Sequence, residues 1–274
     1  MERPVAAVVA LKPVTSAKSR LATLPDPLRR RLAWTMAVDT LRALATAGAA
    51  LLVVGDEPGL ASRLARAGVL ARVVGETGAA GMNAALGRGA ELLAADGHRD
   101  VLAVVGDLPA LRAETVRRLL QVAPAAGRGY LADAAGTGTT MLLARGAPLD
   151  PRFQGLSAAA HATSGAAPLA PLLDDGADAR RDVDTEDDLA IAVDLGLGRA
   201  TTALVDPVSR RLGRYTVITT TDHRDDHGRS LAVSAAGHRL VLDQHALADG
   251  LRSLRPGQRL HAVHAGRQVL SAWL

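Results

Sequence analysis

The stretch PVAAVVALKPVTSAKSRL, residues 4–21, decides the fold class, because an apolar run of strand length leads directly into a polar, basic loop. Further apolar runs, ALLVVGD (50–56), ARVVGE (71–76) and DVLAVVGDLP (100–109), alternate with longer segments of helical period. That alternation predicts a parallel sheet with helices on both faces. Continuous apolar strands suit a sheet covered on both sides. We therefore expect an α/β fold, a three-layer Rossmann-like domain with a mostly parallel sheet.

The pattern changes after about Pro207 to short strands separated by turns, as in GRYTVITTTD (213–222) and RQVLSAWL (267–274). Several short strands joined by Gly and Asp turns predict a small β-barrel-like domain. We therefore expect two domains, residues 1–207 and residues 208–274. The second has no evident catalytic group, so packing or assembly is its expected role.

The net charge, the absence of cysteine and the lengths of the apolar runs limit the functions that this chain can have. Residues 206–274 hold 10 basic and 6 acidic side chains, which account for the whole formal net charge of +4. A charge this small is weak evidence for nucleic-acid binding. Because the chain has no cysteine, any metal must use oxygen or imidazole ligands. No stretch reaches the roughly 18 uncharged apolar residues of a membrane span, so we expect a cytoplasmic protein. No feature indicates an oligomeric state.

The loop after the first strand is a candidate polyphosphate site. Lys12 and Lys18 are the only lysines among 32 basic residues, and Arg20 lies in the same loop. Backbone N–H groups of such a loop can wrap a polyphosphate while its cations offset the charge. A solvated basic loop is the alternative. The loop has neither GxxxxGK[ST] nor GxGxxG, which disfavours a P-loop ATPase and a dinucleotide-dependent dehydrogenase.

Two acidic segments are candidates for holding Mg²⁺. Asp107 in VVGDLPAL follows a buried strand, where a charge is costly unless it faces a cleft or a metal. A helix N-cap is the alternative role. In DVDT, Asp182 and Asp184 project to the same side of an extended segment. Two carboxylates together with polyphosphate oxygens are a usual Mg²⁺ ligand set.

A later segment, FQGLSAAAH (153–161), adds polar side chains within a Gly and Ala-rich region. Ser157 and His161 are four residues apart, so they share a face if the segment is helical. For His161, a structural role and a ligand-binding role are both open.

Taken in order, LKPVTSAKSRL, GMNAAL, VVGDLPAL, GTGTT, FQGLSAAAH and DVDTEDDL resemble the guanylyltransferases of coenzyme F-420 biosynthesis, which act on 2-phospho-L-lactate or phosphoenolpyruvate. The resemblance spans about residues 4–205. It implies a nucleotidyltransferase fold similar to the molybdenum-cofactor guanylyltransferases. It also implies GTP and a small phosphorylated carboxylic acid as partners, Mg²⁺ as cofactor and pyrophosphate as product.

The motifs and the resemblance together give the candidate site residues. We expect Lys18, Arg20 and Asp107 to be the catalytic residues. We expect nucleotide binding at Leu11, Lys12, Lys18, Gly81, Asn83 and Asp107. The resemblance implies contacts with the acceptor for Thr139 and Ser157 and metal ligation for Asp107 and Asp184, and we expect Gly155 to contact the acceptor as well. One departure from the family pattern is Gln154, which displaces the usual glycine by one position.

Three other functions remain open. Another nucleotidyltransferase, acting on a molybdopterin or a sugar phosphate, is the nearest, although the usual GGxSxRxG opening is missing. Residues 208–274 are similar to a cold-shock barrel, which would bind single strands by stacking bases on aromatics. Only Tyr215 and Trp273 are aromatic there, which argues against nucleic acid. A metal-dependent glycosyltransferase using DVD is the third. Among acceptors, the resemblance favours phosphoenolpyruvate over 2-phospho-L-lactate and 3-phosphoglycerate.

Overall fold

A computed structural model gives the fold and the side-chain contacts of most of the chain. It describes residues 5–11, 21, 23–76, 78, 81–173, 176–227, 229–248, 251 and 253–274.

The first domain is built on a seven-stranded sheet of order β3-β2-β1-β4-β6-β5-β7. Its strands are β1 (Ala6–Ala10), β2 (Ala50–Val54), β3 (Arg72–Val74), β4 (Asp100–Val104), β5 (Gly127–Ala132), β6 (Thr139–Arg145) and β7 (Ala167–Pro168). All pairings within the sheet are parallel except those of β6, which is antiparallel to β4 and to β5. The expected mostly parallel sheet is confirmed.

Helices cover both faces of this sheet, as the alternating pattern predicts. They are α1 (Asp26–Thr46), α2 (Leu60–Arg66), α3 (Met82–Ala95), α4 (Ala113–Val122), α5 (Ser157–Thr163), α6 (Ala177–Arg180), α7 (Glu186–Leu195) and α8 (Arg199–Thr202). Within β1, Ala7 and Val9 pack in one core cluster with α1, α2 and α4, whereas Ala6 and Val8 pack in another with α3. Alternate residues of an apolar strand thus support two layers. The three-layer α/β prediction is confirmed.

The C-terminal region forms the expected small barrel. Five strands close in the order β10-β12-β11-β8-β9. They are β8 (Arg214–Arg224), β9 (Ser230–Ser234), β10 (Arg239–Leu242), β11 (Arg259–Ala265) and β12 (Gln268–Trp273). None of the helices in the described part of the chain is long and apolar enough to cross a membrane.

The barrel and the first domain share a hydrophobic core cluster. Leu28 and Leu32 of α1 and Leu189 of α7 are buried with Val263 and Trp273 of the barrel. The guanidinium carbon of Arg31 lies 5.6 Å from the centroid of the Trp273 ring. The predicted boundary between residues 207 and 208 lies in a turn, with Val205 bridged to Leu212. The barrel therefore packs against the sheet domain instead of extending from it on a linker.

Helix α7 begins with a capped first turn. Thr185 is its N-cap, and its hydroxyl accepts a hydrogen bond from the Asp188 N–H group at 3.1 Å. Asp188 in turn accepts a hydrogen bond from the Thr185 N–H group at 3.0 Å, which completes a capping box. The helix ends at Leu195, with Gly196 as its C-cap. This cap fixes the position of the DVD segment directly before it.

Candidate active site

The candidate site lies along one edge of the sheet. Strands β1 to β4 are parallel, so their carboxyl ends meet at this edge, where open α/β sheets bind ligands. Because β6 is antiparallel, it begins at the same edge. The N–H group of Val105 donates to the carbonyl of Thr140 at 3.0 Å. Thr139 therefore lies beside the segment that leads from β4 to Asp107.

The segment containing Asp107 is fixed on three sides. Its carbonyl accepts a hydrogen bond from Val183 N–H at 3.1 Å, and the Pro109 carbonyl accepts one from Gly198 N–H at 2.7 Å. The N–H group of Leu108 donates to the buried hydroxyl of Thr40 at 3.0 Å. Asp107 is not a helix cap, because α4 begins at Ala113 with Arg112 as its N-cap. Its position follows from long-range bonds instead.

The same bonds bring the two predicted metal carboxylates onto adjacent segments. Val183 is fully buried, whereas its neighbours Asp182 and Asp184 are partly buried, as alternation along an extended segment requires. Because Val183 is bonded to the backbone of Asp107, Asp184 lies one residue from that contact. No cluster of three or more His, Cys, Asp or Glu side chains suited to a metal occurs among the described residues.

Leu11 directly follows β1 at this edge of the sheet. Its N–H group donates to the Val54 carbonyl at 2.9 Å. A Cβ atom at Gly106 would lie 2.8 Å from Leu11 Cδ2, and one at Gly55 would lie 2.8 Å from the Leu11 carbonyl oxygen. Glycine at both positions therefore permits the close approach of the chain where the basic loop begins. The predicted residues Lys12, Lys18 and Arg20 lie outside the described part of the structure.

The GMN and FQG segments contact each other. The side-chain oxygen of Asn83 accepts a hydrogen bond from the Phe153 N–H group at 2.7 Å. Gly81, with φ of +91°, is the N-cap of α3, and a Cβ atom there would lie 3.5 Å from Gln154 Nε2. Asn83 thus has a structural bond that its place in the sequence did not reveal. Its binding to a nucleotide stays a prediction.

The predicted acceptor residues are brought together by the start of α5. Ser157 is its first residue and is 2% exposed, and its N–H group donates to the Gly155 carbonyl at 2.9 Å. Gly155 has φ of +61°, a conformation that favours glycine. The Ala158 N–H group donates to the Thr137 carbonyl at 3.1 Å, which joins the helix to the GTGTT segment.

His161 lies behind Thr139 and is fully buried. Its Nε2 atom accepts a hydrogen bond from the Arg152 N–H group at 2.9 Å, and its Nδ1 atom lies 3.0 Å from Thr139 Oγ1. Burial lowers the pKa of His161 to about 4, although the nearby carboxylate of Asp150 opposes the shift. The imidazole is therefore neutral at pH 7. Both ring nitrogens are occupied within the protein, which favours the structural role for this residue.

Asp133 is a structural residue near this edge that the sequence analysis did not single out. Its carboxylate accepts hydrogen bonds from the N–H groups of Thr137 and Gly138, both at 2.9 Å. A Cβ atom at Gly138 would clash with that carboxylate. An aspartate followed by glycines, as in DAAGTG (133–138), is typical of a turn and is the signal that could have identified this one. The turn sets where β6 and Thr139 begin.

Two clefts border the barrel, and the lining of the first includes Asp56 and Glu57, which follow β2 at this edge. One, of about 600 Å³, lies between α1, α2 and the barrel, and its lining includes Asp56, Arg63 and Trp273. The other, of about 700 Å³, lies between α7 and the start of the barrel. Neither is lined by Asp107, Thr139 or Ser157.

Comparison with known proteins gives a family match over the first domain. Residues 5–204 match the family described as "Guanylyl transferase CofC like". The phosphoenolpyruvate guanylyltransferase of Salinispora arenicola is 45% identical over 213 residues, which cover 76% of this chain and 96% of that protein. The enzyme of the same name from Thermomonospora curvata is 43% identical over 202 residues, 72% of this chain and 86% of that protein.

A solved structure supports the fold. A proposed nucleotide-diphospho-sugar transferase from Desulfovibrio desulfuricans G20 is similar with a TM-score of 0.50 and 19% identity. The match covers 68% of this chain and 85% of that one. The matched family range ends at residue 204, before the first strand of the barrel.

Proposed function

Because the chain belongs to the family of CofC-like guanylyl transferases, we propose that it transfers GMP from GTP to the phosphate of phosphoenolpyruvate. A phosphate oxygen of the acceptor attacks the α-phosphorus of GTP and forms the new P–O bond. The bond from the α-phosphorus to the bridging oxygen breaks, and pyrophosphate leaves. The protein needs no side-chain nucleophile for this reaction, so its work is positioning and electrostatic stabilisation.

The observation that carries the proposal is the meeting of three segments at one sheet edge. Asp107 follows β4, the DVD segment is bonded to it through Val183, and Thr139 begins the adjacent antiparallel strand. A nucleotidyl transfer needs two substrates held end to end, with charge offset near the α-phosphorus. The edge provides carboxylates on one part and buried hydroxyls on the next. The two substrates therefore have neighbouring binding places.

The donor set at this edge suits Mg²⁺. Asp107 and Asp184 supply oxygen ligands from adjacent segments, and Mg²⁺ is commonly held by one or two carboxylates plus substrate phosphates. When bound, the ion would offset negative charge on the nucleotide phosphates. We assign Asp107 and Asp184 as the residues that hold it.

The nucleotide is assigned to the chain segments that follow β1 and β3 in the sequence. The segment directly after Leu11 contains Lys12, Lys18 and Arg20, whose charges would offset the leaving pyrophosphate. Gly81 and Asn83 open helix α3, whose first-turn N–H groups favour anions. Since the Asn83 side-chain oxygen is bonded to Phe153, only its amide N–H groups are assigned to the nucleotide.

The acceptor is assigned to the other part of the edge. Thr139, in the GTGTT segment, and Ser157, the first residue of α5, are buried hydroxyl residues, and Gly155 lies two residues before α5. Hydroxyl and backbone donors of this kind bind carboxylate and phosphate oxygens without adding charge. We assign this reaction to residues 1–207 and a packing role to residues 208–274. Trp273 is 6% exposed, so it is not available to stack on a base.

The experiment that tests the proposal incubates the full chain with Mg²⁺ and GTP. Phosphoenolpyruvate, 2-phospho-L-lactate and 3-phosphoglycerate are supplied separately, and pyrophosphate release and product mass are measured. We expect product from phosphoenolpyruvate and much faster turnover of GTP than of ATP, CTP or UTP. Equal rates with ATP would refute the guanylyl assignment. Turnover of a sugar nucleotide without pyrophosphate release would support a glycosyltransferase instead.

A further inference from the structure

Thr139 and His161 form a buried hydrogen-bonded pair whose proton positions can be deduced. The Arg152 N–H group can only donate, so His161 Nε2, at 2.9 Å from it, must be the acceptor. A neutral imidazole carries its single hydrogen on the other nitrogen. His161 Nδ1–H therefore donates to Thr139 Oγ1 at 3.0 Å. The neutral ring persists at pH 7 because burial holds the pKa of His161 at about 4.

The direction of this bond determines what the Thr139 hydroxyl can do. Its oxygen accepts from His161, so its own hydrogen is directed to a different partner. The imidazole is held in place by two neighbouring rings, with centroids 6.1 Å away at Tyr130 and 5.2 Å away at Phe153. A ring fixed by packing and by a backbone donor cannot rotate to reverse the bond. His161 is therefore always the donor in this hydrogen bond and Thr139 the acceptor.

A β-bulge explains why Thr139 faces His161. The register of β5 and β6 shifts between Leu131 and Ala132, opposite Thr139. The hydroxyl of the next residue, Thr140, donates a hydrogen bond to the Ala179 carbonyl at 2.8 Å. Ala179 belongs to the core cluster on the other face of the sheet. Bulges re-orient side chains near active sites in this way. The bulge places the Thr139 hydroxyl at the start of β6, next to the edge assigned to the acceptor.

From this geometry we propose that His161 is a positioning residue, which fixes the Thr139 hydroxyl as a hydrogen-bond donor to an ionised oxygen of the acceptor. The proposal rests on the proposed function. It makes the site selective for an acceptor that presents a carboxylate or phosphate oxygen to Thr139 and unfavourable for one that presents a hydroxyl donor only. His161 does not touch the acceptor itself.

The first test is spectroscopic and needs no activity. In histidine-labelled protein with all eight histidines, ¹⁵N NMR at pH 7 should show a neutral ring with a protonated Nδ1 and an unprotonated Nε2 that vanishes in His161→Gln and is thereby assigned to His161. A His161 signal with Nε2 protonated would overturn the proposal whether or not the chain transfers GMP.

The second test separates positioning from packing. An asparagine amide can occupy the place of Nδ1, whereas a glutamine amide extends to the place of Nε2. We therefore expect His161→Asn to keep the KM for the acceptor within about threefold of wild type, because a hydrogen-bond donor to Thr139 remains. His161→Gln and Thr139→Val should each lower kcat/KM for the acceptor about tenfold or more, which is the usual effect of losing a hydrogen bond to a charged group. The KM for GTP should be unchanged. Exposed His245→Gln is the matched control and should keep wild-type kinetics.

The double variant gives the decisive result. Since His161 acts through Thr139, Thr139→Val/His161→Gln should be no worse than Thr139→Val alone. Multiplicative losses, or His161→Asn as impaired as His161→Gln in folded protein, would overturn the proposal. Repeating the cycle with the carboxylate methyl ester of phosphoenolpyruvate assigns the contact: the Thr139→Val effect disappears if Thr139 binds the carboxylate and persists if it binds the phosphate. If wild type transfers GMP to none of the phosphorylated acids, the proposed function fails instead.

Discussion

Asp107 follows strand β4, whose residues from Val101 to Val104 are all buried, and its Oδ1 atom is shielded from solvent. The hydrogen bonds to its segment come from α1, from the DVD segment and from Gly198. They would fix the backbone equally well with asparagine at this position. The negative charge is therefore the property to test.

We predict that Asp107→Asn folds normally and loses about a thousandfold or more of its transfer rate, because a lost metal ligand removes several kcal/mol of transition-state stabilisation. Initial rates at saturating GTP, acceptor and Mg²⁺ and far-UV circular dichroism would be measured. The matched control is Asp194→Asn, an exposed aspartate on α7, which should keep wild-type rates. An Asp107→Asn rate above a tenth of wild type would disprove the metal assignment.

The lowered pKa of His161 predicts that the stability of the protein depends on pH. Its pKa of about 4 in the folded protein lies below its ordinary value of 6.5, mainly because of burial, with Asp150, Arg128 and Arg152 as the nearby charges. Between pH 4 and pH 6.5, the unfolded chain therefore binds more protons at His161 than the folded protein does. The contribution of His161 to the free energy of unfolding is complete above pH 6.5 and is lost as the pH falls toward 4. The stability advantage of wild type over His161→Asn should shrink by about 2 kcal/mol between pH 7 and pH 5, at about 1.4 kcal/mol per pH unit.

Urea unfolding of both proteins at several pH values measures this difference. Comparing the two proteins at each pH cancels the titration of the other groups. A constant difference from pH 7 to pH 5 would show that His161 takes up its proton in the folded state as readily as in the unfolded chain.

Helix α3 packs against the sheet through a glycine. A Cβ atom at Gly89 would clash with Val8 Cγ2 and lie 3.1 Å from side-chain atoms of Leu52 and Val54. At Gly87 in the same helix, an added Cβ atom would meet only Pro151 Cγ at 3.9 Å. The two positions therefore share a helix and differ in the space beside them.

We predict that Gly89→Ala lowers the free energy of unfolding by about 1–3 kcal/mol through overpacking. Gly87→Ala should raise it by up to about 1 kcal/mol, because alanine favours the helix. Urea midpoints measure both changes. Equal shifts in the two variants would mean that α3 does not approach the sheet as closely as the structure shows.

At the scale of the whole molecule, the barrel and the sheet domain share a core. Trp273 in the last strand packs with Leu32 and Met36 of α1. The protein has one other tryptophan, Trp34, which is a residue of α1. The barrel is outside the matched family range, yet its packing places it against the helix that follows the basic loop. The two parts are therefore expected to unfold together.

Trp273→Ala should lower the free energy of unfolding by about 3–5 kcal/mol, as large truncations in a core do. Trp34 is then the single tryptophan, so its fluorescence reports α1 alone. We expect its urea midpoint to fall together with the circular dichroism midpoint. Leu274→Ala, at a 74% exposed position, is the control and should change stability by less than about 0.5 kcal/mol. An unshifted Trp34 transition in Trp273→Ala would show that the barrel unfolds independently.

The sequence by itself determined the features that depend on short-range patterns. Alternating apolar runs predicted the layered α/β fold, and short strands separated by turns after about Pro207 predicted the small barrel. The ordered motifs also predicted the family. The fold predictions succeed because strand alternation, helical period and turns depend on residues close together in the chain.

Only the tertiary structure decided how distant segments meet. The antiparallel β6 brings Thr139 to the carboxyl edge, Asn83 bonds to the backbone of Phe153, and Val183 bonds to that of Asp107. The bulge that turns Thr139 toward His161 likewise depends on the pairing of β5 with β6. The contacts of Thr139 with His161 and of Asn83 with Phe153 join residues 22 and 70 positions apart, and their geometry follows from the packing of the whole sheet. No local propensity encodes it, because each segment would satisfy its hydrogen bonds in other ways when isolated.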